Sequence, residues 1–119
     1  MREARRLIFA RDGRVRVSAV AEHIAYSRRH LSERFRAATG LTPKAAVRIA
    51  RFQAARRRLA VPRRPPRAEV AARCGYAYQS HLCREWQALA GCSVGTWLAE
   101  EFPDVQYVAV DDAAGSTHD

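Results

Sequence analysis

Long apolar runs are missing from this chain, and their absence removes a first class of function. No segment approaches the roughly 20 consecutive apolar residues that span a bilayer, and the start MREARRLIFARDG lacks the apolar run of a secretory leader. A cytoplasmic protein with no membrane partner is expected. Cysteine is scarce as well. Cys74, Cys83 and Cys92 stand nine apart, which is neither an even disulfide set nor a close-paired zinc pattern. Cys74 and Cys92 read as small packing residues in a reducing compartment, and no metal is expected. Catalytic groupings are absent too: acids are scattered, histidines lie far apart, and no glycine-rich loop precedes a helix. Glu100, Glu101, Asp104 and His118 form no ligand spacing. Without a nucleophile beside a base, a metal cluster or a phosphate loop, neither catalytic residues nor a cofactor are expected, and the chain does not read as an enzyme.

Lysine is nearly absent, with Lys44 alone against 20 arginines, so the cations are of the type that forks onto phosphate and base edges. The formal charge is +9 and it is unevenly spread. Residues 1–68 hold 19 Lys/Arg against four acids, or +15, while residues 69–119 hold two Arg against eight acids, or −6. The front of the chain is therefore the expected footprint on a polyanion. With 119 residues and 48% apolar content there is room for one domain, or two very small ones.

No stretch alternates strictly enough for a strand, and apolar spacings of three and four dominate, so the class is all-α. The first helix spans about 2–11 with Leu7, Ile8 and Ala10 inward, ended by the turn dipeptide Asp12-Gly13. The second runs from Ser18, read as its N-cap, to about Ala25, presenting Val20, Ala21 and Ile24. Ser27 caps the third, 28–38, which Gly40 closes, and Thr42-Pro43 opens the fourth, reaching Leu59 or Ala60. That helix turns Ala46, Ala50, Phe52, Ala55 and Leu59 inward, with Arg48, Arg51, Arg56, Arg57 and Arg58 on its outer sides. The stretch VPRRPPR is a linker, and three more helices follow at about 67–74, 79–89 and 94–101. Beyond Pro103 the acidic segment DVQYVAVDDAAGSTHD loses the pattern. VQYVAV is expected to pack weakly at most, and the last residues to be disordered.

The halves repeat each other. VAEHIAY (20–26) aligns with VAARCGY (70–76) at an offset of 50, and HLSERFRAATGLT (30–42) with HLCREWQALAGCS (81–93) at 51. Each unit is a short helix, a tight turn and a second helix with an inward face of Leu31/Phe35/Ala38 or Leu82/Trp86/Leu89. That is the sequence form of a helix-turn-helix, whose second helix lies in the major groove. Two such units on one long helix suit a ruler such as DNA, where successive major grooves on one face recur at about 34 Å.

These residues resemble the AraC/XylS family of bacterial transcription regulators, over about Leu7 to Leu98. The likeness is carried by VAEHIAYSRRHLSERFRAATGLTP, RFQAARRRL and EVAARCGYAYQSHLCREWQALAG. It implies a homeodomain-like fold of seven helices: a DNA-binding domain over 1–102 with helix-turn-helix units at about 17–39 and 67–90, joined by a linker helix at about 43–60, then an acidic tail over 103–119. It further implies activation or repression of a promoter, with RNA polymerase as a further partner, on the nucleoid. Many members carry an N-terminal sensor or dimerisation domain, so the chain is expected to be a small regulator or the DNA-binding part of a longer one. It departs from the family pattern at Tyr78, where a small polar cap is usual, at Trp86, where phenylalanine is usual, and in GCSVGTW, where a Thr-Pro pair is usual.

On the third helix Arg29, Ser32, Glu33 and Arg36 share one stripe, at i, i+3, i+4 and i+7. Arg29 suits guanine and Glu33 suits a cytosine amino group, although Glu33 equally suits an ion pair with Arg29 or Arg36. Arg28, His30 and Arg51 are phosphate candidates. On the later helix the base-contact candidates are Gln79, Ser80, Cys83 and Arg84, with Cys83 offered to a thymine methyl group. His81 is either a phosphate contact or a structural histidine bonding a neighbouring carbonyl. The alternative function is a protein- or RNA-binding adaptor. Single-strand readers expose stacking aromatics, and only Tyr78 and Tyr107 are expected to be exposed here.

Overall fold

The computed structural model describes residues 1–103, so the expectations for VQYVAV, Tyr107 and the acidic end lie outside the described residues. Among the described residues there are seven helices and no strand: α1 Arg2–Ala10, α2 Val17–His23, α3 Arg28–Thr39, α4 Pro43–Leu59, α5 Arg67–Arg73, α6 Gln79–Ala90 and α7 Val94–Glu101. The all-α class expected from the spacing is the one found. The chain divides into two compact units, Met1–Gln53 and the described residues from Ala54 onward.

The first unit is built on Ile8 from α1, Val20 and Ala21 from α2, Leu31 and Phe35 from α3, and Ala46, Val47 and Ala50 from α4. Ala4 joins them from α1, whereas Ala10, expected inward, is exposed. Phe52 is only half-buried. In the second unit the buried set is Ala54, Ala55, Leu59, Val70, Ala71, Cys74, Tyr76, Leu82, Cys83, Trp86, Val94 and Leu98. Trp86 lies 5.0 Å from the ring of Trp97, and Trp97 meets Phe102 edge-on at 5.4 Å. This cluster accommodates the larger indole at position 86. Ala38 and Leu89, expected on the inward faces, are both exposed. Each falls three residues beyond the last buried residue of its helix, Phe35 or Trp86.

Of the four helix starts related by the repeat, three follow hydroxyl caps. Ser27 Oγ accepts from the His30 amide at 3.0 Å, Thr42 Oγ1 from Ala45 at 3.1 Å, and Ser93 Oγ from Thr96 at 3.0 Å. Tyr78, the repeat partner of Ser27, makes no side-chain cap. Ser18 is not the cap expected of it, because α2 begins one residue earlier, after an extended Arg16 without a side-chain cap.

Two loops are fastened by arginines. Asp12 and Gly13 turn α1 toward α2 with φ of 53° and 73°, and the Gly13 carbonyl accepts from Arg51 Nε at 3.0 Å. Gly13 sits so close to α4 that a Cβ would lie 2.6 Å from the Val47 carbonyl oxygen and 2.9 Å from the Arg51 nitrogen. At the other end of α4, Arg64 Nε bonds the Leu59 carbonyl at 3.1 Å, satisfying one of the acceptors a helix end leaves open. All three cysteines are outside any disulfide.

Candidate nucleic-acid interface

Burial of Leu31 and Phe35 fixes which way α3 faces, and the remaining positions of the helix are turned outward. Arg28, Arg29, His30, Glu33, Arg34 and Arg36 are exposed and Ser32 is half-buried. The expected stripe of Arg29, Ser32, Glu33 and Arg36 is thereby brought to one side of the helix. Arg29 Nε meets Glu33 Oε1 at 3.2 Å, with the two side chains 90% and 63% exposed. Of the two readings of Glu33, the ion pair is the one seen here. At such exposure it contributes only about 0.3–0.5 kcal/mol, so a guanine edge or a phosphate can displace it cheaply.

Beside this stripe runs an open groove of about 330 Å³ lined by Val17, Arg28, Arg29, Ser32, Thr42, Pro43 and Lys44. Three cations, Arg28, Arg29 and Lys44, converge there beside the start of α4, and their side chains suit the groove to a phosphate group. Lys44 was not among the sequence candidates. Its place in the groove depends on the turn after Gly40, which carries the start of α4 back toward α3.

The second unit presents a narrower polar face. Leu82 and Trp86 point α6 inward, leaving Ser80, Arg84 and Gln87 exposed, with Gln79 and His81 half-buried. Cys83 is a correction: at 7% exposure its side chain belongs to the interior, and it has no surface to offer a thymine methyl group. It stands three residues before buried Trp86 and so on the same side of the helix, and a small thiol at such a boundary position is drawn into the core.

Two phosphate candidates also have duties within the fold. Arg51 is half-buried with its Nε bonded to the Gly13 carbonyl. His81 Nδ1 accepts from the Ala77 amide at 3.2 Å. His81 therefore has a bond within the fold, with an N–H as the partner and not the carbonyl expected. Its ring meets Tyr76 edge-on at 5.1 Å, and the repeat pair His30 and Tyr26 is tilted at 4.3 Å. The two histidines share a packing role against the tyrosine that precedes each second helix.

Both turns between paired helices need one residue in the left-handed region. Gly75 takes it at φ 86° in the second unit, but in the first the equivalent residue is Ala25 at φ 60°. A Cβ there costs roughly 1–2 kcal/mol. The outer faces of α1 and α5 carry the ion pairs Arg6–Glu3 and Arg73–Glu69, the latter at 3.7 Å. The hydrogen bond from Arg6 holds the Glu3 carboxyl below its ordinary range and raises the guanidinium in turn.

Residues 20–100, from within α2 to within α7, match the family model of a helix-turn-helix domain. No curated protein and no solved structure matches the chain.

Proposed function

The chain belongs to the AraC-type family of helix-turn-helix DNA-binding domains, a family of transcription regulators, and from that premise we propose that it is a sequence-specific regulator of bacterial promoters. Each unit puts its second helix, α3 or α6, into a major groove of duplex DNA, the two reading adjacent segments of one site. The observation that carries this reading is the cationic outer face of α3 on a duplicated helix-turn-helix. Arg29 and Arg36 are suited to guanine and Ser32 to either partner, and Glu33 is suited to a cytosine amino group once Arg29 has left it. Arg28, His30 and Lys44 take phosphates. On α6, Gln79 suits adenine, Arg84 suits guanine, and Ser80 lies between them.

The units divide the work. With four exposed arginines on α3 against one on α6, the first unit supplies most of the affinity through counterion release, and the second refines the choice of sequence. Bound at a promoter, the regulator acts on RNA polymerase, as activator or repressor according to where its site lies. A site obtained by selection from random duplexes, followed by gel shifts at two salt concentrations with DNA and RNA, tests the reading. Duplex DNA binding that weakens steeply with salt is expected. Arg28→Ala or Lys44→Ala lowers the salt slope by about one for each phosphate lost, while Arg84→Ala relaxes preference at one base pair. Preference for RNA or indifference to salt refutes DNA recognition, and equal affinity losses from Arg29→Ala and Arg84→Ala refute the division of labour.

A further inference from the structure

Tyr78 is 71% exposed, the most exposed large apolar side chain among the described residues. It occupies the N-cap of α6 in extended conformation and makes no side-chain cap. Its repeat partner Ser27 caps α3, and the other repeat-related pair of helix starts, Thr42 and Ser93, are both hydroxyl caps. The position has therefore given up a stabilising interaction for an aromatic ring that is left largely exposed. The turn is held by other means: the His81 amide bonds the Tyr78 carbonyl at 3.1 Å, and His81 Nδ1 takes the Ala77 amide. Departures from local stability rules concentrate at functional positions. This one stands at the start of a helix whose first turn approaches base edges in a helix-turn-helix.

We propose that Tyr78 is a specificity-determining contact of the second unit, its ring packing on the C5-methyl group of a thymine in the major groove. The inference rests on the DNA-binding reading above. The second unit has few charged groups to spend on phosphates, and Cys83, the apolar candidate on α6, is buried. An exposed aromatic ring at the helix start supplies the apolar contact that Cys83 does not.

The test uses the full chain and a duplex site obtained by selection. Replacing thymines of the second unit's segment one at a time by deoxyuridine removes a methyl group and nothing else. At one position the parent chain should lose about fourfold in affinity, the worth of one buried methyl group. Tyr78→Ser should be indifferent to that replacement and should bind the parent site more weakly. Tyr78→Phe keeps the ring and should keep the discrimination. Because serine restores a cap, Tyr78→Ser should also melt about 5 °C higher, so weaker binding by that variant cannot be laid to poor folding. Equal thymine discrimination by parent and Tyr78→Ser overturns the inference. So does the lack of any methyl-sensitive thymine in the parent's site, a result that needs no variant. In both cases duplex binding by the parent leaves the DNA reading standing, whereas failure of the parent to bind any duplex overturns both.

Discussion

Replacing Gly13 by alanine should loosen the first unit by about 3 kcal/mol. Three costs add to that figure. Gly13 has φ of 73°, where a Cβ costs about 1–2 kcal/mol. The new methyl group would stand 2.6 Å from the Val47 carbonyl and 2.9 Å from the Arg51 nitrogen, both backbone atoms of a helix that cannot yield. The loop must back away, and in doing so it stretches the bond from Arg51 Nε to the Gly13 carbonyl, now 3.0 Å. A hydrogen bond from a charged donor is worth about 1.5–3 kcal/mol. Against a typical domain stability of about 5–15 kcal/mol this is a large fraction, and the melting temperature should fall by roughly 15 °C. Urea titrations of the parent, Gly13→Ala, Arg51→Ala and the double variant read it directly. Arg51→Ala should cost about 1.5–3 kcal/mol, and the double variant less than the sum of the two, since both changes break one contact. Salt-dependent DNA binding of folded Arg51→Ala should keep the parent slope, unlike Arg28→Ala. A Gly13→Ala loss under 1 kcal/mol, or a reduced salt slope for Arg51→Ala, would refute the assignment of Arg51 to the fold.

Further outcomes follow from the two turns and from the caps. Ala25→Gly should stabilise the first unit by about 0.5 kcal/mol, because relief of the left-handed strain exceeds the added freedom of the unfolded chain, and Gly75→Ala should destabilise the second by a similar amount; chemical denaturation measures both. Ser27→Ala should cost about 1 kcal/mol by losing the His30 cap, again read as a shift of the urea midpoint, and Ser18→Ala close to nothing. Since the Glu3 carboxyl titrates below its usual range, its pairing with Arg6 stabilises the fold above the unfolded-state pKa. That contribution is lost as pH falls through the lower folded value. Carboxyl NMR titration should give the lowered value in the parent and the ordinary one in Arg6→Ala.

Much of the fold could be read in the sequence because its signals are local and repeated. Ser27, Thr42-Pro43 and the glycines at 40 and 91 mark helix ends through bonds within one turn, and the echo repeats the glycine stop at 40 and 91 and the hydroxyl start at 42 and 93. What escaped depends on contacts between distant segments. Arg51 reads as one more cation on an outer face, yet its partner is a loop carbonyl 38 residues away. Arg67 looks like linker charge but is 6% exposed. Cys83 shows the limit of stripe reasoning, because a boundary position is assigned to core or surface by the neighbouring helix. Lys44 was passed over because no spacing rule links the start of α4 with a stripe on α3. The arginines of α3 were legible for the opposite reason, since the burial of Leu31 and Phe35 alone decides where they point.

A duplicated fold supplies its own control, because each residue has a twin under nearly the same local geometry. The two units fail local rules at different places: the first has a strained turn at Ala25 and a capped α3, the second a relaxed turn at Gly75 and an uncapped α6. These departures have different physical content. Ala25 adds one exposed methyl group, and nothing in the structure explains its retention. Tyr78 adds a whole exposed ring beside Gln79 and Ser80, at the end of α6 that faces the groove in the proposed complex. Ala25→Gly and Tyr78→Ser should therefore shift stability in the same direction and part company on DNA, the first leaving affinity untouched and the second losing it. Local cost alone does not mark a functional residue. The mark is a cost incurred together with surface that only a partner can bury.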